Sequence, residues 1–282
     1  MQFDDTLYSM TTIIEIECGS FRVSGSGFFY NLLSEKDIEK GSQWREIEGM
    51  WLVTNRHVAL PKINETEMIP DIFTFNFRQK INGKIEWFPV SLKKDEYIKR
   101  LRLHNDSNVD IALIEIADLY LKLLLDKEPI MSVVGLTSDN LPSNTKSPLY
   151  TGSDVLVAGY PRGYYDRENK FPIVKAGIIS TKWGDRFQGN PCFLIDAKLF
   201  PGSSGSVVIT KPQQMALIDG KLMTNQNGEF VFLGVYSGEP IEQKRLHFED
   251  MEIIKNESYN VGYVWYSCLI PQIIKEGIAI TQ

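Results

Sequence analysis

Three polar residues that lie far apart in the chain have the types that nucleophilic acyl transfer requires. His57 follows an apolar run, Asp110 precedes another, and Ser204 lies in a glycine-rich turn at residues 202–206. A serine hydroxyl attacks well at neutral pH only when a base removes its proton and a carboxylate orients that base. We therefore predict that these three side chains meet in one site, although each comes from a different segment.

The order of these residues narrows the choice of fold. Histidine, aspartate and serine follow one another in this order in the chymotrypsin-type double β-barrels, whereas other folds with the same triad use other orders. Asp106 is a competing carboxylate, but Asp110 directly precedes the apolar strand and is therefore preferred. The other histidines, His104 and His247, lie in polar segments and are interpreted as surface residues.

The rest of the sequence predicts an all-β protein. Short runs rich in β-branched and aromatic residues alternate with turn formers, as at residues 11–18, 73–77 and 155–158. Asn82-Gly83 stands between two such runs and is a strong hairpin signal. Many short strands punctuated by turns favour barrels or a sandwich over βαβ units.

Seven segments resemble the trypsin-like serine proteases, and most closely their bacterial HtrA (Deg) branch. They occur in the family's order over nearly the whole chain, at residues 25–28, 52–58, 110–114, 157–163, 177–180, 195–205 and 261–264. The resemblance implies two six-stranded antiparallel β-barrels, the chymotrypsin-like double barrel, followed by a C-terminal helix. It also implies that no PDZ domain follows, because the chain stops soon after that helix.

The resemblance also divides the chain into domains. The N-terminal barrel would span residues 1–135 and carry the histidine and the aspartate. A linker is expected at residues 136–150, where serine, asparagine and proline are frequent. The second barrel, with the serine and the terminal helix, would span residues 151–282.

Carried over to this chain, the resemblance implies a role for each catalytic residue. His57 would act as general base and then as acid for the leaving amine, Asp110 would orient it, and Ser204 would attack the peptide carbonyl. The backbone N–H groups of Gly202 and Ser204 would form the oxyanion hole, where one donor is worth about 3 kcal/mol of barrier. The substrate would be a protein or peptide, and neither a metal nor a cofactor is expected.

The same resemblance places the primary specificity pocket between three segments. Its walls would include Lys198, Leu199, Phe200, Ser237, Gly238, Gly262 and Tyr263. Ser237 also matches the family position that closes over the aspartate and begins the strand that pairs with the substrate backbone. The apolar members favour an apolar or aromatic side chain at the P1 position of the substrate. Lys198 leaves two alternatives open, because an inward ammonium would suit an acidic P1 side chain and an outward one would not contribute.

Departures from the family pattern concern the control of activity. Ser203 stands where digestive enzymes carry an aspartate that receives a newly cut N-terminus, so activation by N-terminal cleavage is not expected. Ser206 replaces the second glycine usually found after the nucleophile. Polar insertions at residues 34–49, 211–229 and 239–260 are expected to be long loops beside the site. Regulation of the activity by such loops, or by a protein partner or ligand, is therefore a hypothesis.

Composition argues against several other classes of protein. The net charge is −6 over 282 residues without a basic cluster, so no nucleic-acid partner is expected. The first residues lack the features of a signal peptide, and no apolar run approaches the roughly 20 residues that span a bilayer, so no membrane association is expected. The three cysteines are too few and too scattered for a disulfide framework. Together these observations predict a cytoplasmic protein.

Two alternatives to a peptidase use the same residues. An α/β-hydrolase esterase would need Gly-x-Ser-x-Gly at a strand-to-helix turn and His247 as its base. The turn here ends in Ser206 and continues into β-branched residues, which disfavours that reading. A catalytically silent protease fold that acts as a protein-binding module would also keep the three triad residues, and only the geometry of the site bears on it.

Overall fold

Strands form most of the chain. The structure, a computed structural model, describes residues 3–37, 44–144, 148–218, 220–248 and 251–280. These residues form one large sheet, one closed barrel, three two-stranded sheets and several short helices. The predicted all-β class is therefore confirmed.

The strands are numbered in chain order. The first nine are β1 (Thr11–Cys18), β2 (Phe21–Asp37), β3 (Arg45–Thr54), β4 (Lys62–Ile63), β5 (Thr66–Glu67), β6 (Ile72–Ile81), β7 (Lys84–Lys93), β8 (Leu101–Leu103) and β9 (Ala112–Glu115). The others are β10 (Asp154–Gly159), β11 (Ile173–Ile179), β12 (Cys192–Asp196), β13 (Val207–Thr210), β14 (Gln213–Ile218), β15 (Lys221–Glu229), β16 (Phe232–Gly238), β17 (Ile241–Phe248), β18 (Met251–Ser258), β19 (Gly262–Tyr266) and β20 (Ile278–Ala279). The helices are α1 (Phe3–Met10), α2 (Arg56–Ala59), α3 (Lys94–Arg100), α4 (Ala117–Leu125) and α5 (Leu269–Glu276), with 3-10 turns at Ser138–Asn140, Pro142–Asn144 and Pro161–Gly163.

The N-terminal half of the chain builds an eight-stranded antiparallel sheet. Its strand order is β20-β8-β9-β3-β2-β1-β6-β7. The last of these strands in sequence, β20, returns from the C-terminus and pairs with β8. That pairing covers backbone groups that would otherwise form a free sheet edge. The N-terminal half therefore forms the β-unit predicted there, as a sheet of eight strands that includes β20.

The hairpin predicted at Asn82-Gly83 is confirmed by β6 and β7. The two turn residues have φ angles of 49° and 81°, as the two-residue turn of a tight hairpin requires. Pairing continues without a shift from the Ile81–Lys84 pair to the Ile72–Lys93 pair. This ribbon forms one edge of the large sheet.

An apolar cluster of the large sheet reaches the segment that carries the predicted histidine. Phe73, Phe75 and Phe77 are fully buried because alternate residues of β6 point to one face. Tyr97 of α3 stacks on Phe73 with ring centroids 4.6 Å apart. The Tyr97 hydroxyl donates to the Ala59 carbonyl at 2.8 Å, so the core holds α2 in place.

The C-terminal half builds the predicted six-stranded barrel. Its strands close in the order β10-β11-β12-β19-β16-β13 around buried Val, Ile, Leu and Phe side chains. The predicted terminal helix is confirmed as α5, which buries Leu269, Ile270 and Ile273. In the part of the chain that is described, no helix combines the length and the apolar content needed to cross a bilayer.

Two of the insertions expected to be loops fold as hairpins. In the insertion at residues 211–229 β14 pairs with β15, and in that at 239–260 β17 pairs with β18. In each hairpin the backbone N–H and C=O groups of one strand bond to those of the other, so these polar segments form strands where loops were expected. The insertion at residues 34–49 extends β2 and β3, and its residues 38–43 lie outside the described part.

The segment predicted as a linker begins on the large sheet. Leu136 is buried, its N–H donates to the Phe29 carbonyl at 2.9 Å, and its carbonyl accepts the N–H of Asn31 at 2.7 Å. Two 3-10 turns follow, and residues 145–147 lie outside the described part. The domain boundaries at residues 135 and 151 stay a prediction.

Candidate active site

His57 lies just beyond the end of a buried strand. The last six residues of β3 are buried, and Asn55 continues with an extended backbone before the chain turns into α2. Val58 and Ala59 are buried and anchor this turn, whereas the His57 side chain is 46% exposed. The buried end of β3 and the buried residues of α2 thus hold the His57 imidazole at the surface.

An ion pair fixes the outer side of the same turn. Arg56 donates from Nε and Nη2 to the two carboxylate oxygens of Glu67, at 2.8 Å and 2.9 Å. Such a bidentate pair is geometrically specific as well as strong. The hydrogen bonds from Arg56 lower the pKa of Glu67, so the carboxylate is ionised at neutral pH. The pair holds α2 against the small β4–β5 hairpin.

Asp110 reaches His57 with both of its carboxylate oxygens. Oδ2 lies 2.7 Å from Nδ1 of His57, and Oδ1 accepts the His57 backbone N–H at 2.9 Å. A carboxylate at Nδ1 favours the tautomer that carries its proton there and leaves Nε2 as the acceptor. Asn55 donates from Nδ2 to the Asp110 carbonyl at 2.7 Å, which fixes the backbone of the acid.

Ser237 connects the acid and base to the serine. Its hydroxyl donates to Oδ2 of Asp110, and its carbonyl accepts the Ser204 hydroxyl at 2.7 Å. Across the residues that are described, no hydrogen bond joins the Ser204 hydroxyl to His57. The structure therefore brings the three predicted residues into one cluster, while the contact between nucleophile and base is not made. A change of the Ser204 χ1 rotamer would redirect the hydroxyl.

The loop before Ser204 leaves two backbone N–H groups available. Those of Gly202 and Ser204 make no hydrogen bond with any described residue. The Pro201 carbonyl accepts the Arg162 N–H at 2.7 Å. Because the C=O and N–H of a trans peptide point in opposite directions, the Gly202 N–H points away from Arg162. Gly202 has a φ of 87°, and an added Cβ would lie 2.6 Å from the Arg162 nitrogen, so only glycine fits.

Ser26 makes four hydrogen bonds, and two of them tie this loop to the large sheet. Its N–H donates to the Ser204 carbonyl at 2.8 Å. Its hydroxyl donates to the Gly202 carbonyl at 2.9 Å and accepts the Tyr160 N–H at 2.8 Å. Its carbonyl accepts the Thr54 hydroxyl at 2.8 Å. Since Ser26 is fully buried, partners that lost these bonds would not regain them from water.

The residues after Ser204 pack tightly against the same strand. A Cβ at Gly205 would lie 2.0 Å from the Ser26 carbonyl oxygen, and the Gly205 N–H donates to the Tyr236 carbonyl at 2.9 Å. Ser206 is buried, and its hydroxyl lies without a hydrogen-bond partner among the described residues. It fits because the facing Gly159 has no side chain, where a Cβ would come within 1.9 Å of Ser206 Oγ.

A cavity of about 210 Å³ opens beside Ser204. It is lined by Leu199, Phe200, Pro201, Ser204, Tyr236, Gly238, Glu239 and Ile241. Three of the residues predicted for the specificity pocket, Leu199, Phe200 and Gly238, are therefore in its wall. Burial, with a smaller contribution from Glu239, raises the pKa of Tyr236, so the phenol stays neutral.

The other predicted wall residues do not line this cavity. Lys198 is exposed, since its neighbours on both sides point into the barrel. Ser237 is engaged with the carboxylate described above. Gly262 lies against the Tyr236 ring, where an added Cβ would come within 2.3 Å of it. Tyr263 packs against Phe187 with ring centroids 6.1 Å apart.

Two residues that position the site escape prediction from the sequence. Asn55 holds the backbone of Asp110, and Ser26 holds the loop before Ser204. Asn55 lies two residues before the predicted histidine, which is a weak signal. The stretch Gly25-Ser26-Gly27 predicts only a bulge or a close backbone approach, because the partners of Ser26 come from another part of the chain.

The described residues offer no second nucleophile or metal centre of comparable geometry. Among them, no group of three or more His, Cys, Asp or Glu side chains is arranged to hold a metal ion. The cysteines Cys18, Cys192 and Cys268 are free. Burial raises the pKa of Cys192 to about 11, which keeps that thiol un-ionised at neutral pH.

Several solved structures of proteases are similar to this chain. The active form of the Rv3671c protease from M. tuberculosis has 16% identity, covers 98% of this chain and 84% of its own, and has a TM-score of 0.45. The scabies mite inactivated protease paralogue S-I1 has 16% identity, 98% coverage of both chains and a TM-score of 0.47. The protease Anisep from Arthrobacter nicotinovorans has 12% identity, covers 93% of this chain and 91% of its own, and has a TM-score of 0.44.

A family model covers most of the chain. A comparison with curated protein sequences gives no match. The model of the trypsin-like peptidase domain matches residues 25–216, which include the histidine, the aspartate and the serine described above. Because this match spans well over half of the chain, the protein belongs to the trypsin-like peptidase domain family.

Proposed function

We propose that this protein is a serine endopeptidase that cleaves protein or peptide substrates through an acyl-enzyme. The observation that carries the proposal is the pair of contacts from Asp110 to His57, at 2.7 Å to the ring and 2.9 Å to the backbone. They orient a base beside a serine whose loop offers two unused N–H groups. That combination has little structural purpose unless a reacting carbonyl is to be held and attacked.

In the proposed mechanism each residue acts on a defined atom. As Ser204 Oγ attacks the scissile carbonyl, Nε2 of His57 takes its proton, and Asp110 stabilises the imidazolium that forms. The N–H groups of Gly202 and Ser204 donate to the oxyanion, where their charge stabilisation is greatest. His57 then returns the proton to the leaving amine. A water molecule, activated by the same histidine, releases the acid product from the acyl-enzyme.

We also propose a preference for aliphatic P1 side chains of moderate size. The cavity beside Ser204 is small, at about 210 Å³, and Leu199 and Tyr236 give it an apolar interior. Exposed Lys198 would not contribute to it. Within the family, the motif order supports a relationship to the HtrA (Deg) branch, as the resemblance implies.

The test of the catalytic proposal is covalent labelling with a fluorophosphonate probe and turnover of a peptide library. We expect the label on Ser204, and we expect Ser204→Ala and His57→Ala each to lower kcat by about 10⁶-fold, because the triad works as a unit. Cys268→Ala provides a control in which a free but non-triad side chain is removed. Hydrolysis at the unchanged rate after either triad substitution would refute the mechanism.

A catalytically silent, protein-binding role is the second candidate. The hydrogen bond from Ser204 to the Ser237 carbonyl, in place of one to His57, favours it. If the serine were locked in this rotamer, the probe would fail to label it under every condition. Labelling that Ser204→Ala abolishes would exclude the silent role.

A further inference from the structure

A second and larger cavity shares Phe200 with the specificity cavity. Its volume is about 730 Å³, within the range of roughly 300–1,000 Å³ that small-molecule sites occupy. Its wall includes Pro161, Arg162, Tyr164, Val174, Lys175 and Phe200. None of the triad residues lines it, and Phe200 is the only described residue that lines both cavities.

Two cations converge on one aromatic ring in this cavity. The guanidinium carbon of Arg162 lies 5.5 Å from the Phe200 ring centroid, and Nζ of Lys175 lies 4.8 Å from it. Neither side chain forms an ion pair or a hydrogen bond with any residue that the structure describes. The ring stabilises each cation only weakly at an exposed site. An anion placed between them would supply the opposite charge that the cavity lacks.

The cavity is linked to the oxyanion loop through the backbone of Arg162. This residue has φ 52° and ψ 26°, a left-handed conformation that costs energy for a residue with a Cβ. Its N–H is the donor that holds the Pro201 carbonyl at 2.7 Å and so directs the Gly202 N–H away from it. Strained backbone of this kind is typical of functional sites.

From these observations we propose that the cavity binds an organic carboxylate with an apolar or aromatic body. The carboxylate would lie between Arg162 and Lys175, and the apolar body would pack on Phe200 and Val174. The bound anion stabilises the conformation of Arg162 and, with it, the orientation of the Gly202 N–H. The cavity is then a regulatory site, and this second half rests on the proposed function of the oxyanion loop.

Binding can be tested without catalysis by using the full-length Ser204→Ala protein. Calorimetric titration with 1-naphthaleneacetate is compared with titration with its neutral amide, 1-naphthaleneacetamide. We expect the acid to bind at least about tenfold more tightly than the amide, and Lys175→Gln to lose about the same factor. Lys182→Gln, a lysine of the same barrel outside the cavity, should bind like the parent. Equal affinity for acid and amide, or for the two lysine variants, would overturn the site.

Regulation is tested by the rate at which a fluorophosphonate labels Ser204 in the unsubstituted chain. Saturating naphthaleneacetate should raise this rate severalfold, and the amide at the same concentration should not. A rate that the acid leaves unchanged, despite charge-dependent binding, would overturn the regulatory half. Absence of labelling both with and without the acid would instead refute the proposed peptidase function, and the calorimetric result would stand on its own.

Discussion

The hydroxyl of Ser26 donates to the carbonyl of Gly202 at 2.9 Å, although the two residues are 176 positions apart. The bond joins a strand of the large sheet to the loop that carries the nucleophile. The bond engages the Gly202 carbonyl, and the Gly202 N–H makes no hydrogen bond with any described residue. The loop before Ser204 is thus held partly by the other half of the molecule.

Ser26→Ala should impair catalysis more than substrate binding. The substitution leaves the buried Tyr160 N–H without a partner, at a cost of about 1–3 kcal/mol, and the part-buried Gly202 carbonyl loses its bond at a smaller cost. We expect kcat to fall roughly 10- to 100-fold with a smaller change in KM. Affinity for a peptide aldehyde, which forms a tetrahedral adduct, should fall in parallel with kcat/KM, while affinity for the product peptide should not.

Ser206→Ala is the matched control for Ser26→Ala. Its hydroxyl is buried in the same region but has no hydrogen-bond partner among the described residues. Its removal should leave kcat within about twofold and should not lower stability, since no paired group is orphaned. Equal losses of kcat in the two variants would show that the Ser26 hydroxyl has no specific role.

Two substitutions should separate the contact of Asp110 with His57 from its contact with Ser237. Asp110→Asn keeps the size of the side chain but favours the wrong histidine tautomer, and kcat should fall about 10⁴-fold. Ser237→Ala removes only one donor to Oδ2 and should cost about tenfold or less. Steady-state kinetics on one peptide substrate would compare the two, and equal losses would contradict the separate roles.

Specificity should depend on Tyr236 and not on Lys198. Tyr236→Ala enlarges the cavity and should shift P1 preference from aliphatic toward aromatic residues in a peptide library. Lys198→Ala should leave the P1 profile unchanged, because the lysine is exposed and does not line the cavity. Loss of an acidic preference in Lys198→Ala would instead mean that the ammonium turns inward when substrate binds.

The β17–β18 hairpin should influence the specificity cavity. Glu239 and Ile241 at its base line that cavity, and Ser258, which pairs with Ile241 at the same base, donates from its hydroxyl to Glu239. Replacing residues 242–257 with a short glycine and serine turn should change KM or the P1 profile while Ser204 is still labelled. Shortening the β14–β15 hairpin at residues 216–226 is the control and should change neither. If the two shortened proteins had the same KM and P1 profile, the β17–β18 hairpin would have no specific influence on the cavity.

Alkaline pH should destabilise the barrel through Cys192. The thiol has a pKa of about 11 in the folded chain against 9.0 ordinarily, so the folded state retains a proton that the unfolded state has lost. The free energy of unfolding is therefore unaffected by ionisation of this thiol below pH 9. It falls by up to about 2–3 kcal/mol as the pH rises from 9 to 11. Between pH 9 and 11, the denaturant midpoint should therefore fall less steeply in Cys192→Ala than in the unsubstituted protein. Val208→Ala, which empties a similar buried position without removing a thiol, should keep the steep dependence.

Much of the site can be predicted from the sequence because its signals are local. His57, Asp110 and Ser204 each stand beside a strand whose β-branched and aromatic residues mark it in the sequence. Gly202 has a backbone φ angle that only glycine adopts readily. The dipeptide Asn82-Gly83 is typical of the two-residue turn that it forms here. These features depend on a few neighbouring residues and need no knowledge of the fold.

Long-range contacts were decided only by the tertiary structure. The bonds of Ser26 and the bond from the Ser204 hydroxyl to the Ser237 carbonyl join segments that no local pattern relates. For Ser237 the resemblance implies only that it lies over the aspartate. Lys198 points outward because the barrel buries the residues on both sides of it. Side-chain direction and hydrogen-bond partners are set by packing between distant strands, so the sequence by itself determined which residues could react, and the fold decided how they face one another.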